Sequence, residues 1–297
     1  MKHTALPRVQ LLLSMLVFGT IAVFVSNVPL RSAEVALYRA VLALVLIGAV
    51  LLFTKTNPVR GVTRYDLLLL LLSGAAMGFN WILLFEAYRY TTVSVATLAY
   101  YFAPVLVTVL CPFLFRERMG AKQILCFVCS TLGVCLIVGV SFAGGGNHPV
   151  GVLLGLGAAV LYATVILLNK YIKGVTGISR TFLQFLAAAL VLTPYVALTG
   201  GFRLHTLDVK GWGFLLTIGL IHSGVAYCLY FSALRHLPGQ EAAILSYIDP
   251  LVAVVLSVSV LHQSIGVAQI VGGVLILGFS LLNEIEWDPL QRRKKQE

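Results

Sequence analysis

Acidic side chains are scarce in this 297-residue sequence: Asp and Glu number eleven, and charged residues make up 11% of the chain. Soluble domains carry about 25% charged residues, so a soluble globular protein is excluded. Cysteine is scarce as well. The five (Cys111, Cys126, Cys129, Cys135 and Cys228) all fall in apolar runs. The Cys126-x-x-Cys129 spacing has no second pair or nearby His to complete a metal set, and no disulfide framework follows. Small apolar packing residues account for them. No phosphate-binding motif is present either: "AGGGN" at 143–147 lacks the Lys-Ser/Thr and the preceding strand that a nucleotide loop needs. Residues 11–26 are too long and too poorly followed by small residues to be a cleaved signal peptide.

What the chain has is apolar length. Ten runs of about 20 residues each can cross a ~30 Å hydrocarbon core as a helix. They are 9–28, 33–53, 66–88, 92–115, 121–142, 150–170, 179–199, 211–233, 238–260 and 265–284. Short gaps leave no room for a soluble domain. The net charge of +10 sorts by side: with the N-terminus inside, sixteen Lys and Arg fall on inner segments and four on outer ones, while Arg39 lies within the second span. This positive-inside bias sets topology and attraction to anionic headgroups, so the surplus needs no nucleic-acid partner. The reading is an all-α polytopic protein of the cell inner (cytoplasmic) membrane, with both termini cytoplasmic.

The chain also repeats itself. A shift of 146 residues lays 78–124 on 224–270 without a gap, with thirteen identities in forty-seven positions. They include Arg89/Arg235, Tyr101/Tyr247, Pro104/Pro250, Gly120/Gly266 and Gln123/Gln269. Each half holds five spans, and an odd number inverts the second copy in the membrane, a transporter architecture with its site where the halves meet. The expected organisation is a first repeat over 1–143, a connector over 144–149, a second repeat over 150–285 and a basic cytoplasmic tail over 286–297.

The repeated block, "FEAYRYTTVSVATLAYYFAPVLVTVL" followed by "FRERMGAKQ" in the first half and "YFSALRHLPGQEAAILSYIDPLVAVVL" in the second, strongly resembles the EamA domain of the drug/metabolite transporter superfamily. "HQS" at 262–264 stands where the first copy has Glu117-Arg118, "LLNK" at 167–170 resembles the Lys-ended sixth span, and Ser26 replaces a common Lys. The resemblance implies ten helices, cytoplasmic termini and export or exchange of small metabolites such as amino acids.

Candidate site residues come from what is costly in lipid. Pro104 and Pro250, near the middle of spans four and nine, each remove a backbone donor and clash with the carbonyl four residues back. Matched interruptions in inverted repeats point to a transport site. Asp249 precedes Pro250 where the repeat mate is Ala103, and three roles stay open: counter-charge for an amino group, proton-coupling site, or structural acid. Tyr100, Tyr101, Tyr162, Tyr227, Tyr230, Tyr247 and Trp81 are read as cavity aromatics. Tyr88, Tyr90 and Trp212 are read as interfacial belt. Asn80 suits substrate contact or helix–helix glue, and His222 a proton relay to Asp249 or a packing histidine. Glu86 and Glu241 sit near helix ends, where loop pairing suffices.

The function expected is a secondary transporter, not an enzyme, with no cofactor or metal. It would move small polar or amphipathic metabolites, amino acids or amines first, by alternating access, as a monomer or homodimer in the bilayer. A proton-coupled importer of an organic cation, or an intramembrane lipid-modifying enzyme, are the alternatives.

Overall fold

The computed structural model describes residues 5–115, 120–143, 148–237 and 239–285. Glu117-Arg118, the connector loop at 144–147 and the basic tail from 286 lie outside them. The chain forms helices α1 (Ala5–Ser26), α2 (Ser32–Phe53) and α3 (Arg64–Tyr90). Then come α4 (Val93–Tyr100), α5 (Ala103–Phe115), α6 (Ala121–Ala143), α7 (His148–Tyr171) and α8 (Gly177–Thr199). The last third holds α9 (Val209–Leu216), a π-helical stretch (Thr217–Val225), α10 (Ala226–Leu234), α11 (Gly239–Ser246), α12 (Ile248–Ser259) and α13 (Val267–Glu284). Among the described residues, eight segments are long and apolar enough to cross a membrane, and Ile244–Ser259 and Val267–Asn283 are shorter apolar helices. Together they make ten membrane segments: α4–α5 form the fourth, α9–α10 with the π stretch the eighth, α11–α12 the ninth.

The helix contacts come in exchanged pairs. α3 packs along α7, and its counterpart is α1 along α10 and the π stretch. α4 and α5 lie on α7 as α11 and α12 lie on α1, while α2 pairs with α8 and α6 with α13. These pairings are those of two inverted five-helix repeats related by a pseudo-twofold axis in the membrane plane. They resolve into two bundles: α3, α4, α5 and α7 in one, α1, α9 through α12 in the other.

Small residues set how close the helices come, because lipid gives no hydrophobic drive between them. A Cβ on Gly74 would sit 2.5 Å from the Ala187 side chain of α8, and one on Gly133 would sit 2.6 Å from the Gly272 carbonyl of α13. Gly19 lets α1 touch the start of α12: a Cβ there would lie 2.7 Å from the Asp249 carbonyl oxygen.

Both prolines start half-helices rather than kink continuous ones. Spans four and nine are broken at Tyr101–Phe102 and at Tyr247, so Pro104 is the second residue of α5 and Pro250 the third of α12. There the missing N–H is one of the first-turn donors that lacks an intrahelical acceptor anyway. The carbonyls they spare, at Tyr100 and Ser246, mark the ends of α4 and α11.

Candidate functional site

A cavity of about 420 Å³ lies between the two bundles, against both helix breaks. Its volume falls within the ~300–1,000 Å³ of small-molecule sites. α1 contributes Phe18 and Gly19, α3 Trp81 and Tyr88, and α7 Tyr162. Tyr100, Tyr101 and Pro104 come from the first break, Tyr247 and Asp249 from the second, Tyr227 and Tyr230 from α10. The walls are aromatic because these rings pack on one another. Tyr162 stacks on Tyr100 with centroids 5.2 Å apart, Tyr100 meets Tyr101 edge-on at 5.7 Å, and Tyr101 meets Tyr247 at 6.4 Å. On the other side Trp81 and Tyr227, which are repeat mates, both meet Phe185 edge-on at 5.2 and 5.3 Å.

Asp249 is half-buried, in the first turn of α12, and its Oδ2 accepts a 2.6 Å hydrogen bond from the Tyr101 hydroxyl. That bond crosses from one bundle to the other and has the length of a charge-assisted O–H···O⁻ contact. Such bonds contribute about 1.5–3 kcal/mol, against roughly 2.5–3.5 kcal/mol for a charge at a helix centre in lipid. The helix N-terminus adds favourable N–H dipoles beside the carboxylate.

The cavity holds a second charge. Arg39 of α2 lines it, 5% exposed, with its guanidinium carbon 4.4 Å above the Trp81 ring and 5.7 Å from that of Phe85. Its Nε donates to the Ser223 hydroxyl at 2.6 Å, and Ser223 donates in turn to the Ile218 carbonyl five residues back. That five-residue reach belongs to the π-helical stretch, where the turn is widened. Sequence reasoning placed Arg39 in a span and assigned it nothing. The signal was present: a lone charge amid "ALYRAVLALVL" costs as much as Asp249 does.

Several expected site residues lie elsewhere. Asn80 does not reach the cavity: its Nδ2 donates to the Ala158 carbonyl at 2.6 Å, joining α3 to α7. His222 is 1% exposed and bonds the Thr20 hydroxyl at 2.8 Å and the Thr217 carbonyl at 3.1 Å, with Phe24 against its ring. It joins α1 to the π stretch, and its hydrogen bonds go to Thr20 and Thr217 rather than to Asp249. Pro250 is buried but outside the lining. Tyr88, assigned to the interfacial belt, instead lines the cavity. Tyr90 and Trp212 are 37% and 39% exposed. Glu86 accepts from the Ser32 hydroxyl, and Glu241 pairs with Arg8 across the starts of α11 and α1.

A second set of bonds joins the bundles away from the cavity. The first amides of α4 have no intrahelical acceptor. Val93 N–H instead donates to Gln263 Oε1 at 2.9 Å and Ser94 N–H to Ser257 Oγ at 3.3 Å, with Ser257 Oγ donating to Gln263 at 2.6 Å. This ties one end of α4 to the far end of α12. No cluster of three or more His, Cys, Asp or Glu suited to a metal occurs among the described residues.

Comparison with known proteins finds one family along both halves of the chain. The sequence model of the EamA-like transporter family matches twice, over residues 8–139 and 149–283. The chain belongs to the EamA-like transporter family. Among its relatives, the uncharacterized transporter YxxF of Bacillus subtilis is 30% identical over 287 residues, 93% of this chain and 89% of that one. An uncharacterized transporter of Archaeoglobus fulgidus is 28% identical, covering 92% and 94% of the two chains. Protein PecM of Dickeya dadantii is 28% identical over 88% of this chain and 85% of its own. A crystal structure superposes with a TM-score of 0.66 over 97% of this chain and 98% of that one at 16% identity, a likeness of fold. For this EamA-like protein, a transport role and a multi-pass membrane setting follow from the family.

Proposed function

We propose that this protein is a secondary transporter that moves small amphipathic metabolites bearing an amino group across the cytoplasmic membrane by alternating access. Both termini face the cytoplasm on this reading, and export or exchange is the direction. The observation that carries it is the position of the cavity: about 420 Å³, between two inverted halves, walled by tyrosines and lined by the bonded Tyr101 and Asp249. The carboxylate offers a counter-charge for an ammonium group, and the tyrosine faces offer cation–π attraction and apolar area for the rest of the substrate. The bundles are joined at few points, so a rocking of one against the other exchanges which face reaches the cavity. The enzyme alternative would draw on Asp249 with His222, whose ring bonds go instead to the Thr20 hydroxyl and the Thr217 carbonyl.

Purified protein in proteoliposomes tests this with a panel of radiolabelled amino acids, amines and carboxylates. The expected result is saturable uptake of amino-bearing members, accelerated by the same compound on the opposite side. Non-saturating flux would indicate a pore, and chemically altered product an enzyme; either result overturns the reading.

A further inference from the structure

Arg39 has no assigned use in the transport reading, and its surroundings leave it one. The guanidinium is buried within α2 and faces the same cavity as Asp249. Its Nε is held by Ser223 and its face by the Trp81 ring, so the group is fixed in place. No carboxylate pairs with it among the described residues, where the ion pairs are Arg8–Glu241 and Arg89–Glu86. A guanidinium with a bonded Nε and a stacked face still presents its two terminal nitrogens, the fork that matches a carboxylate. The repeat sharpens the point. The 146-residue shift places Phe185 opposite Arg39 and Ala103 opposite Asp249. The duplicated scaffold thus carries one cation and one anion without charged repeat mates, at two different places, both lining the cavity.

We infer that Arg39 forms an anion subsite for a substrate carboxylate, so that the cavity takes zwitterions carrying an ammonium group toward Asp249 and a carboxylate toward Arg39. Ser223 is a positioning residue: it acts through Arg39, and the widened π-helical turn places it there. The inference rests on the transport reading and assigns to it the residue that would hold the carboxylate end of a zwitterionic substrate. The two tyrosine-lined ends between the charges then hold an apolar side chain.

The test compares matched probes on reconstituted wild type, Arg39→Met and Arg39→Lys. The probes are leucine, its methyl ester, isoamylamine and isocaproate, alongside the common amino acids and their decarboxylated amines. Wild type is expected to take amino acids in preference to the matched amines by roughly ten- to hundredfold, the worth of a charge-assisted bidentate contact. Arg39→Met should erase that preference while amine uptake persists, and Arg39→Lys should restore part of it. Ser223→Ala should lower the preference without abolishing it. Persisting amine uptake also shows that Arg39→Met is folded, and a monodisperse elution profile checks this independently. A wild-type protein that carries amines but no amino acid, or an Arg39→Met variant with its preference unchanged, overturns the inference while leaving the transport reading intact. Absence of saturable uptake for every probe overturns both.

Discussion

Replacing Gly19 with Ala probes how tightly the site is built into the packing. The added Cβ would sit 2.6 Å from Val252 Cβ, 2.7 Å from the Asp249 carbonyl oxygen and 2.8 Å from Val252 Cγ1, where ordinary contacts lie at 3.4–4 Å. Relief requires α1 and α12 to separate by about 1 Å. Two of the three obstacles are a Cβ and a backbone oxygen, which no rotamer change can move. Overpacking of this kind costs ~1–3 kcal/mol, and moving the first turn of α12 draws Asp249 away from Tyr101. Gly19→Ala should therefore lower both thermal stability in detergent and transport. The double variant with Val252→Ala should recover little, because Val252 Cβ and the Asp249 carbonyl remain in place. Gly278→Ala, where nothing lies within 4 Å of the new Cβ, is the control; it should be neutral or stabilising by ~0.5–1 kcal/mol, as Gly→Ala in a helix interior generally is. A Gly19→Ala protein with unchanged melting temperature and flux would refute the packing argument.

Tyr101→Phe removes the hydroxyl that Asp249 accepts from, and should cost about 1.5–3 kcal/mol in stability, measured by thermal melting; the same melt with Tyr230→Phe should fall less. Gln263→Ala removes the acceptor shared by Val93 N–H and Ser257, bonds worth ~1 kcal/mol each. If these bonds close the cavity toward the face opposite the N-terminus, a cysteine placed at Thr97 should react with an impermeant thiol reagent from that face about tenfold faster, and an unchanged rate would show that they do not gate it. The Arg8–Glu241 pair joins the starts of α1 and α11. Glu241→Gln removes this partly exposed ion pair and should cost no more than about 0.2–1 kcal/mol, read by melting beside wild type.

The ten spans were legible because crossing lipid demands length and apolarity that nothing else in this chain imitates. The breaks at Tyr101–Phe102 and Tyr247 were legible from Pro104 and Pro250, since the missing donors act locally. Only their placement differed, by two or three residues, because a proline is best accommodated in the first turn of the second half-helix. The π-helical stretch was not legible. Within it Gly219 packs so closely on α2 that an added Cβ would lie 2.4 Å from the Leu42 side chain, a contact between residues far apart in sequence. The same limit explains Asn80 and His222. A polar group within a span must find a partner, but whether that partner is the Ala158 carbonyl, the Thr20 hydroxyl or a cavity depends on how helices rotate about their axes. Tyr88 lay near enough to a helix end for the belt reading, yet faces inward for that same reason. Arg39 is different: the energetic argument applied to Asp249 also applied to it, and topology counting hid the residue.

The measurement that bears most directly on a central transport site is flux through Asp249→Asn in proteoliposomes, set beside wild type across pH. The substitution keeps the size of the side chain and can still accept from Tyr101, so fold and expression should be retained. Transport of amino-bearing probes is expected to drop, or its pH dependence to change, as the carboxylate is lost. An Asp249→Asn protein with the same flux and the same pH profile as wild type would contradict the account.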